Sequence, residues 1–306
     1  EERSLVGTTY KQVSKFEARK IGAALIAKNT ANHLETTLLS KKRDWEPLVY
    51  CWRGGQRSSA FSIILSEIGW RPSLLNGGYK NYRNEVTGIL HRNPAKYDFI
   101  LISGFTGTAK TEIIQRLDYL NLQTIDLEAL ANHRGSVFGA TPTKQPSQKL
   151  FESLLFSKLQ TLDYREPIIL EAESNKIGQI TIPKVIWSLM KQAPRIEIIA
   201  PLAERAAYLT RRYTDLTKNR FQLQQRIEFL ATQHSPKQIQ KWKNLSQEGK
   251  FNELAADLMF SHYDSRYKNS QDKVSDLVIS LLELPELTEN SILNAAEKVC
   301  KVVRSL

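Results

Sequence analysis

The first part of the chain alternates between amphipathic stretches and short apolar runs. Apolar residues recur at helical spacing over residues 15–40, which predicts one or two helices. Two short apolar runs follow, at 47–52 and 71–78, and between them residues 56–69 form an amphipathic stretch that ends on a glycine. A strand, a tight loop, a helix and a second strand in that order predict a βαβ unit.

A second and stronger series of apolar runs begins after residues 91–97, a predicted linker. Each run is bounded by turn residues, and the runs lie at 97–103, 122–127, 166–174 and 194–201. Helical stretches fill the intervals, so we expect a parallel sheet covered by helices on both faces. From about residue 202 the pattern indicates basic helices. The predicted fold class is therefore α/β, with one α/β domain at 1–93 and a second, ending in a basic helical part, at 94–306.

The composition, with 41% hydrophobic and 25% charged residues, is that of a soluble globular protein. The length of 306 residues is sufficient for two domains. There is no run of about 18 apolar residues, so we expect no membrane span. Two cysteines, Cys51 and Cys300, are too few for a disulfide framework, and a reducing cytoplasm is the expected compartment.

The chain is strongly basic, with a formal net charge of +11 at pH 7. A charge of this size favours a polyanionic partner, because Lys and Arg release counterions from each phosphate that they neutralise. A solvated basic surface explains the charge equally well, and both interpretations stay open at this point.

Residues 104–111 (GFTGTAKT), here called the phosphate loop, match the P-loop pattern with one change. In that pattern glycines let backbone N–H groups turn onto a phosphate, a lysine reaches the outer phosphate, and a hydroxyl serves a metal. The loop follows an apolar strand and opens a helix, whose N-terminus also favours anions. Ala109 stands where the pattern has glycine, and a positive φ there would cost ~1–2 kcal/mol. A plain Gly/Thr-rich turn is the alternative.

Two glutamates, Glu171 and Glu173, follow a later apolar run. They occupy the place where a nucleotide enzyme would hold magnesium or polarise water. Alternate residues of an extended chain face the same side, so both side chains are expected to point one way. The alternative is that one of them caps the next helix.

Cys51 begins a second loop, residues 51–58, here called the cysteine loop. Gly54 and Gly55 let backbone N–H groups point inward, and the nearby helix N-terminus and arginines favour the thiolate. We therefore expect a lowered pKa for Cys51, whereas Cys300 is assigned to the core. The C-x5-R-S spacing fits a cysteine-dependent phosphatase, but it also fits the active-site loop of a rhodanese. The stretch at 74–83 (LLNGGYKNYR) resembles the element that follows the rhodanese loop, which favours the rhodanese.

A rhodanese loop followed by a P-loop domain resembles the bacterial tRNA 2-selenouridine synthases, and three further segments carry the same resemblance. They are VGTTYKQ at 6–12, IDLEALANHRGSVFG at 125–139 and LEAESNKIGQITIP at 170–183. The resemblance implies a transferase that replaces sulfur by selenium in 2-thiouridine at the tRNA wobble position. An S-geranylated intermediate, geranyl diphosphate and selenophosphate are implied as well.

For the fold, the resemblance implies a rhodanese-like domain at 1–93 that lacks its first strands, then a P-loop domain at 94–306 with a tRNA-contacting region at about 202–268. No tightly bound cofactor is expected, and magnesium is a candidate. The implied partners are tRNA with 2-thiouridine at the wobble position and a selenophosphate-supplying enzyme. No association with a membrane is expected.

Carried over by position, the resemblance assigns site residues in four groups. The selenation step would use the cysteine loop, with Cys51, Arg53, Gly54, Gly55, Arg57 and Ser58. The diphosphate would bind to Gly104, Thr106, Gly107, Thr108, Lys110 and Thr111. Groups that would close over that site, or act as acids or metal ligands, are His133, Arg134, Gly135, Ser136, Glu171 and Glu173. Contacts to tRNA would come from Arg205, Arg211, Arg212, Lys218 and Arg220, with Tyr213 as a stacking group.

The sequence departs from the family pattern at Ala109 and at Asn175, where an arginine often stands. Two rival functions remain at this level. One is a cysteine-dependent phosphatase fused to a P-loop kinase-like domain, and the other is a non-catalytic RNA-binding protein.

Overall fold

A computed structural model describes residues 1–52, 55–92, 97–271 and 275–306. Within it the chain forms two compact units, Glu1–Thr87 and Gly88–Leu306, and each is described by itself. No helix in these described ranges is both long enough and apolar enough to span a bilayer.

The first unit contains the βαβ unit that the apolar pattern predicts. Its elements are α1 (Glu2–Gln12), α2 (Lys15–Glu35), β1 (Leu48–Val49), α3 (Gln56–Ile68), β2 (Ser73–Leu74) and α4 (Gly78–Thr87). The two strands are parallel, with Leu48 opposite Ser73 and Val49 opposite Leu74. Val49 and Leu65 belong to a small core, against which Phe61 and Trp70 pack.

The second unit is built on a sheet of five parallel strands. The strands of this unit are β3 (Phe99–Gly104), β4 (Gln123–Ile125), β5 (Ile168–Glu171), β6 (Lys176–Ile177), β7 (Ile180–Thr181), β8 (Arg195–Ile199) and β9 (Val278–Glu283). The sheet order is β4-β5-β3-β8-β9, and every pair in it is parallel. β6 and β7 form a separate antiparallel hairpin. The α/β class with a parallel sheet is thus confirmed.

Helices cover this sheet and form a further helical region. They are α5 (Lys110–Tyr119), α6 (Leu127–Ala131), α7 (Gln148–Gln160), α8 (Lys184–Gln192), α9 (Leu202–Arg212), α10 (Thr214–Lys218), α11 (Arg220–Glu228), α12 (Pro236–Glu248), α13 (Phe251–Leu258), α14 (Ser265–Gln271) and α15 (Glu289–Arg304). Short π-helical turns lie at Gly88–Arg92 and Met259–Asp264, and a 3₁₀ turn lies at Ser275–Leu277.

The central strands read as continuous apolar runs because both of their faces are covered. All six residues of β3 are buried. Ile100 and Ile102 of this strand join one core cluster with Ile113 of α5 and Ala296 of α15. A second cluster, which includes the fully buried Trp242, forms the core of the helical region.

β9 differs from the sequence prediction, which assigned everything after about residue 202 to helices. The segment Val278–Glu283 instead pairs with β8 at the edge of the sheet. Its side chains alternate between half-buried and exposed, as an edge strand with one neighbour permits. The helical interpretation is wrong here because four of these six residues are apolar, and a short apolar run cannot be distinguished from part of a helix by periodicity alone.

Candidate functional site

The phosphate loop lies between the end of β3 and the start of α5. Gly104 has a φ of 145°, and a Cβ built there would lie 2.4 Å from the carbonyl oxygen of Ile198. Gly107 has a φ of 87° and lies close to Arg205. Both positions therefore require glycine, because the backbone is left-handed and a neighbouring chain approaches it closely.

Ala109 adopts the left-handed conformation that glycine would adopt more easily. Its φ is 60°, which costs an alanine ~1–2 kcal/mol. The methyl group is buried in the core cluster that contains Ile113 of α5. Burial of one methyl group stabilises by about 0.8 kcal/mol and offsets part of that cost. The loop thus keeps the backbone turn of a P-loop with alanine in the glycine position.

Lys110 and Thr111 join the loop to the carboxylates beside it. The Nζ of Lys110 donates to the carbonyl oxygens of Gly104 at 3.0 Å and Phe105 at 3.2 Å, and lies 3.6 Å from Glu171 Oε1. The Thr111 hydroxyl lies 2.8 Å from Glu171 Oε2 and 3.2 Å from Glu128 Oε2. Since a hydroxyl has one hydrogen, a protonated Glu128 would donate the second of these bonds.

Glu128, Glu171 and Glu173 form a cluster here called the acidic triad, whose ligand atoms lie within 4.8 Å of one another. Burial and then the charges of Glu171 and Glu173 raise the pKa of Glu128 well above its ordinary value. Burial and then the charge of Glu171 also raise the pKa of Glu173. Three carboxylates and a hydroxyl are oxygen donors of the type that Mg²⁺ prefers, so these residues fit such an ion.

Sequence reasoning missed Glu128. It follows β4, which neighbours β5 in the sheet, so the carboxyl ends of these two strands bring Glu128 and Glu171 together. A signal was present, because Asp126 caps α6 and fixes the position of Glu128 in its first turn. The sequence does not show that β4 and β5 are adjacent in the sheet, and this adjacency is what places Glu128 beside Glu171.

The phosphate loop and the acidic triad form a cleft, here called the phosphate cleft. Residues 134–136 line one side of it. Arg134 forms a bidentate ion pair with Asp215, at 2.9 and 2.7 Å, and its guanidinium lies 4.1 Å from the centre of the Tyr213 ring. A Cβ at Gly135 would lie 2.5 Å from Glu128 Oε1 and 2.9 Å from Glu173 Oε1. Glycine therefore allows this loop to approach the triad.

His133 has a different environment from Arg134. It is buried, forms an isolated bridge with Ala140, and lies close to Gly178 of the small hairpin. Burial, with the charges of Arg226 and Arg134, lowers its pKa. The imidazole is therefore neutral and buried beside the loop that carries Arg134.

Arg205 was expected on the basic surface, and the structure places it inside the protein. Its side chain is 6% exposed and pairs with Asp264 at 3.0 and 2.8 Å. The same guanidinium donates to the carbonyl oxygen of Thr106 in the phosphate loop at 3.1 Å. A count of charges along a helix cannot separate its buried face from its exposed one, which explains the difference.

The other basic residues assigned to tRNA are exposed. Arg211 donates to the carbonyl oxygen of Leu287, and Arg220 donates to that of Gln247. Arg212 lies 3.4 Å from Glu112 and also lines the phosphate cleft. Lys218 ends α10. These cations therefore lie on α9, α10 and α11, close in sequence to the wall of the cleft.

The cysteine loop belongs to the first unit. Cys51 follows β1 and is buried, and the Ser58 hydroxyl donates to its Sγ at 3.4 Å. Gly55, with a φ of 74°, forms the N-cap of α3. Burial alone would raise the pKa of Cys51, but hydrogen bonds from Ser58 and Gly55 and the charge of Arg57 lower it overall. Arg53 and Gly54, also assigned to this site, lie outside the described residues.

A parallel sheet with a glycine-containing loop, a lysine and a threonine between β3 and α5 defines a P-loop α/β unit. A sequence profile of the tRNA 2-selenouridine synthase AAA domain matches residues 97–245. This segment belongs to that domain family, and the chain is a relative of the tRNA 2-selenouridine synthases. The resemblance indicated by the sequence is confirmed.

Curated relatives show the same similarity. The tRNA 2-selenouridine synthase of Nitrosomonas europaea is 35% identical over 209 residues, which are 67% of this chain and 54% of that enzyme. The Sulfurovum sp. enzyme is 35% identical over 67% of this chain and 56% of its own length. The Shewanella frigidimarina enzyme is 34% identical over 70% of this chain and 58% of its own length. The chain spans little more than half the length of these relatives.

Among solved structures, shikimate kinase from Bacteroides thetaiotaomicron is similar with a TM-score of 0.33 and 9% sequence identity. The similarity covers 68% of this chain and 99% of that chain. A likeness of this size does not identify a function.

The contacts of Cys51 predict a thiol that ionises at a lower pH than an ordinary cysteine. In a Cys300→Ser background, the rate of alkylation by iodoacetamide should rise with pH around a midpoint below that of free cysteine. Ser58→Ala removes a bond to the sulfur and should move the midpoint to higher pH. Ser59→Ala is the matched control and should leave it in place. Equal midpoints in all three proteins would contradict this account.

The Arg205–Asp264 pair predicts a large loss of stability when one partner is removed. Arg205→Met leaves a largely buried carboxylate unpaired and should lower the free energy of unfolding by about 3–5 kcal/mol, measured with urea. The double variant Arg205→Met with Asp264→Leu should recover most of that loss. A double variant no more stable than the single one would show that the pairing is not the cause.

Proposed function

We propose that this chain modifies tRNA, replacing sulfur by selenium in 2-thiouridine at the wobble position through an S-geranylated intermediate. Two facts support the proposal. The chain is related over about two thirds of its length to tRNA 2-selenouridine synthases. It also contains a phosphate loop with Lys110 and Thr111 beside three carboxyl groups.

The first step is the transfer of the geranyl group from geranyl diphosphate to the sulfur of 2-thiouridine. The bond between the first carbon of the chain and the diphosphate oxygen breaks, a bond from that carbon to sulfur forms, and the base loses its N3 proton. The negative charge that develops on the leaving diphosphate requires nearby donors. Backbone N–H groups of the phosphate loop, the α5 N-terminus and Lys110 would supply them.

A divalent cation, if bound, would be held by the acidic triad and Thr111 and would neutralise part of the diphosphate charge. Without a cation, the raised pKa of Glu128 and Glu173 reduces the negative charge of the triad. Either condition lets an anionic substrate approach a cleft that contains three glutamates.

The second step replaces the alkylated sulfur by selenium. Alkylation turns a poor leaving group into a good one, because the sulfur then departs from C2 of the base as geranyl thiol. Selenophosphate would supply the selenium, with its supplying enzyme as a partner. Selenide released from selenophosphate, with phosphate as the other product, would form the new bond to C2 as the geranyl thiol departs. We assign the cysteine loop to this step, since its contacts favour a thiolate on Cys51.

Binding of tRNA would use the exposed cations of α9, α10 and α11. Arg211, Arg212, Lys218 and Arg220 lie on these helices, and Arg212 also faces the phosphate cleft. The net charge of +11 agrees with a polyanionic substrate. The observation that carries the proposal is the phosphate loop within a segment matched by the tRNA 2-selenouridine synthase AAA domain.

The test is mass spectrometry of wobble-position nucleosides after incubation of 2-thiouridine tRNA with geranyl diphosphate and selenophosphate. Both the S-geranyl and the seleno product are expected. Lys110→Ala should lower geranylation by about 100-fold or more, because it removes a donor to the leaving group. Cys51→Ala should block selenium incorporation and leave geranylation intact. Equal loss of both activities in the Cys51 variant would contradict this division between the two loops.

A further inference from the structure

An apolar cavity lies beside the phosphate cleft, within the helical region of the second unit. Its walls come mainly from α9, α10, α11 and α13 and from the π-helical turn after α13. Its apolar lining residues include Phe138, Leu209, Leu216, Leu223, Phe251 and Leu254. None of the described residues that line it carries a charge. It therefore suits an uncharged, carbon-rich ligand.

The cavity and the phosphate cleft share part of their walls. The residues that line both are Thr106, Ser136, Leu209, Tyr213 and Tyr263. Thr106 belongs to the phosphate loop, and Ser136 lies 3.4 Å from the hydroxyl of Tyr213. The phosphate cleft itself contains Lys110, the acidic triad and two arginines. One side of this shared wall is thus strongly polar, and the other is apolar.

We propose that the apolar cavity binds the hydrocarbon chain of the diphosphate ester, and that Phe251 limits the length of that chain. This inference rests on the proposed function, because it places the two halves of one substrate on the two sides of the shared wall. The carbon that changes partners then lies at the wall, between Tyr213 and Tyr263.

A nucleotide would fit this cavity poorly. With its phosphates in the loop, the sugar hydroxyls would lie against leucine and phenylalanine side chains. Polar groups that lose their water without gaining a partner weaken binding strongly. A hydrocarbon chain has no polar groups to desolvate and gains by burial. The lining therefore favours a diphosphate ester of an apolar chain over a nucleoside triphosphate.

The position of Phe251 follows from the direction of α13. Tyr263 and Met259 lie at the C-terminal side of this helix, and Tyr263 also lines the phosphate cleft. Phe251 is the first residue of the helix, eight residues before Met259. At a rise of 1.5 Å per residue this is about 12 Å away along the axis. An aromatic side chain at that distance forms the wall that a chain entering from the cleft would meet.

The direct test measures binding of geranyl diphosphate and of inorganic diphosphate to the full chain by calorimetry. Geranyl diphosphate should bind at least about tenfold more tightly, because its chain is buried. Ala255→Leu adds bulk to the cavity wall and should remove this advantage without changing the affinity for inorganic diphosphate. Ala256→Leu is the matched control, since the neighbouring Ala256 is also half-buried but does not line the cavity, and it should keep the advantage.

Chain-length selection is tested with Phe251→Ala. For each protein we compare the affinity for farnesyl diphosphate with the affinity for geranyl diphosphate. The ratio of the first to the second should be about tenfold higher in this variant than in the unaltered protein. An unchanged ratio overturns the role of Phe251. Circular dichroism melting shows whether each variant is folded. If Ala255→Leu is not folded, the cavity assignment is tested by the affinities of the unaltered protein and of Phe251→Ala.

The outcomes separate this inference from the proposed function. Equal affinities for geranyl diphosphate and inorganic diphosphate overturn the cavity assignment and leave the diphosphate site standing. Failure to bind either compound, together with no S-geranyl product on tRNA, overturns the proposed function as well.

Discussion

The buried pair between Arg205 and Asp264 connects the two parts of the second unit on which the proposed chemistry depends. One guanidinium holds the Thr106 carbonyl of the phosphate loop and, through Asp264, the π-helical turn after α13. That turn carries Met259 and Tyr263 to the apolar cavity. Because both charges are largely desolvated and are paired with each other, separating them would be costly. The phosphate loop and the apolar cavity are therefore held in a fixed relation.

The acidic triad sets the electrostatic limits of the same site. Three ionised glutamates beside one lysine would repel a diphosphate, and burial makes such a state costly. The raised pKa of Glu128 and Glu173 resolves the conflict by keeping protons in the cluster. A cation would take the place of those protons when the substrate arrives. The glycine at 135 allows the neighbouring loop to close against these carboxyl groups.

Much of the second unit could be predicted from local patterns, because its buried strands are continuous apolar runs and its phosphate loop has characteristic residues. The positive φ at Ala109 follows from the same pattern. Glu128 and the buried role of Arg205 could not be predicted, since each depends on which strands and helices are neighbours. β9 was missed because its sequence is a short, mostly apolar run, which periodicity alone cannot distinguish from part of a helix. Local sequence thus indicates the loops, whereas tertiary contacts decide which side chains complete the site.

The central claim is that the phosphate loop binds the leaving diphosphate of an alkyl transfer to the tRNA sulfur. The most direct measurement is the stoichiometry of a single turnover, with enzyme in excess over 2-thiouridine tRNA and with geranyl diphosphate as the alkyl donor. Diphosphate release and S-geranyl nucleoside should appear together and in equal amounts, and nucleoside triphosphate should not be required. Diphosphate release without S-alkylation, or turnover that depends on hydrolysis of ATP, would contradict the account.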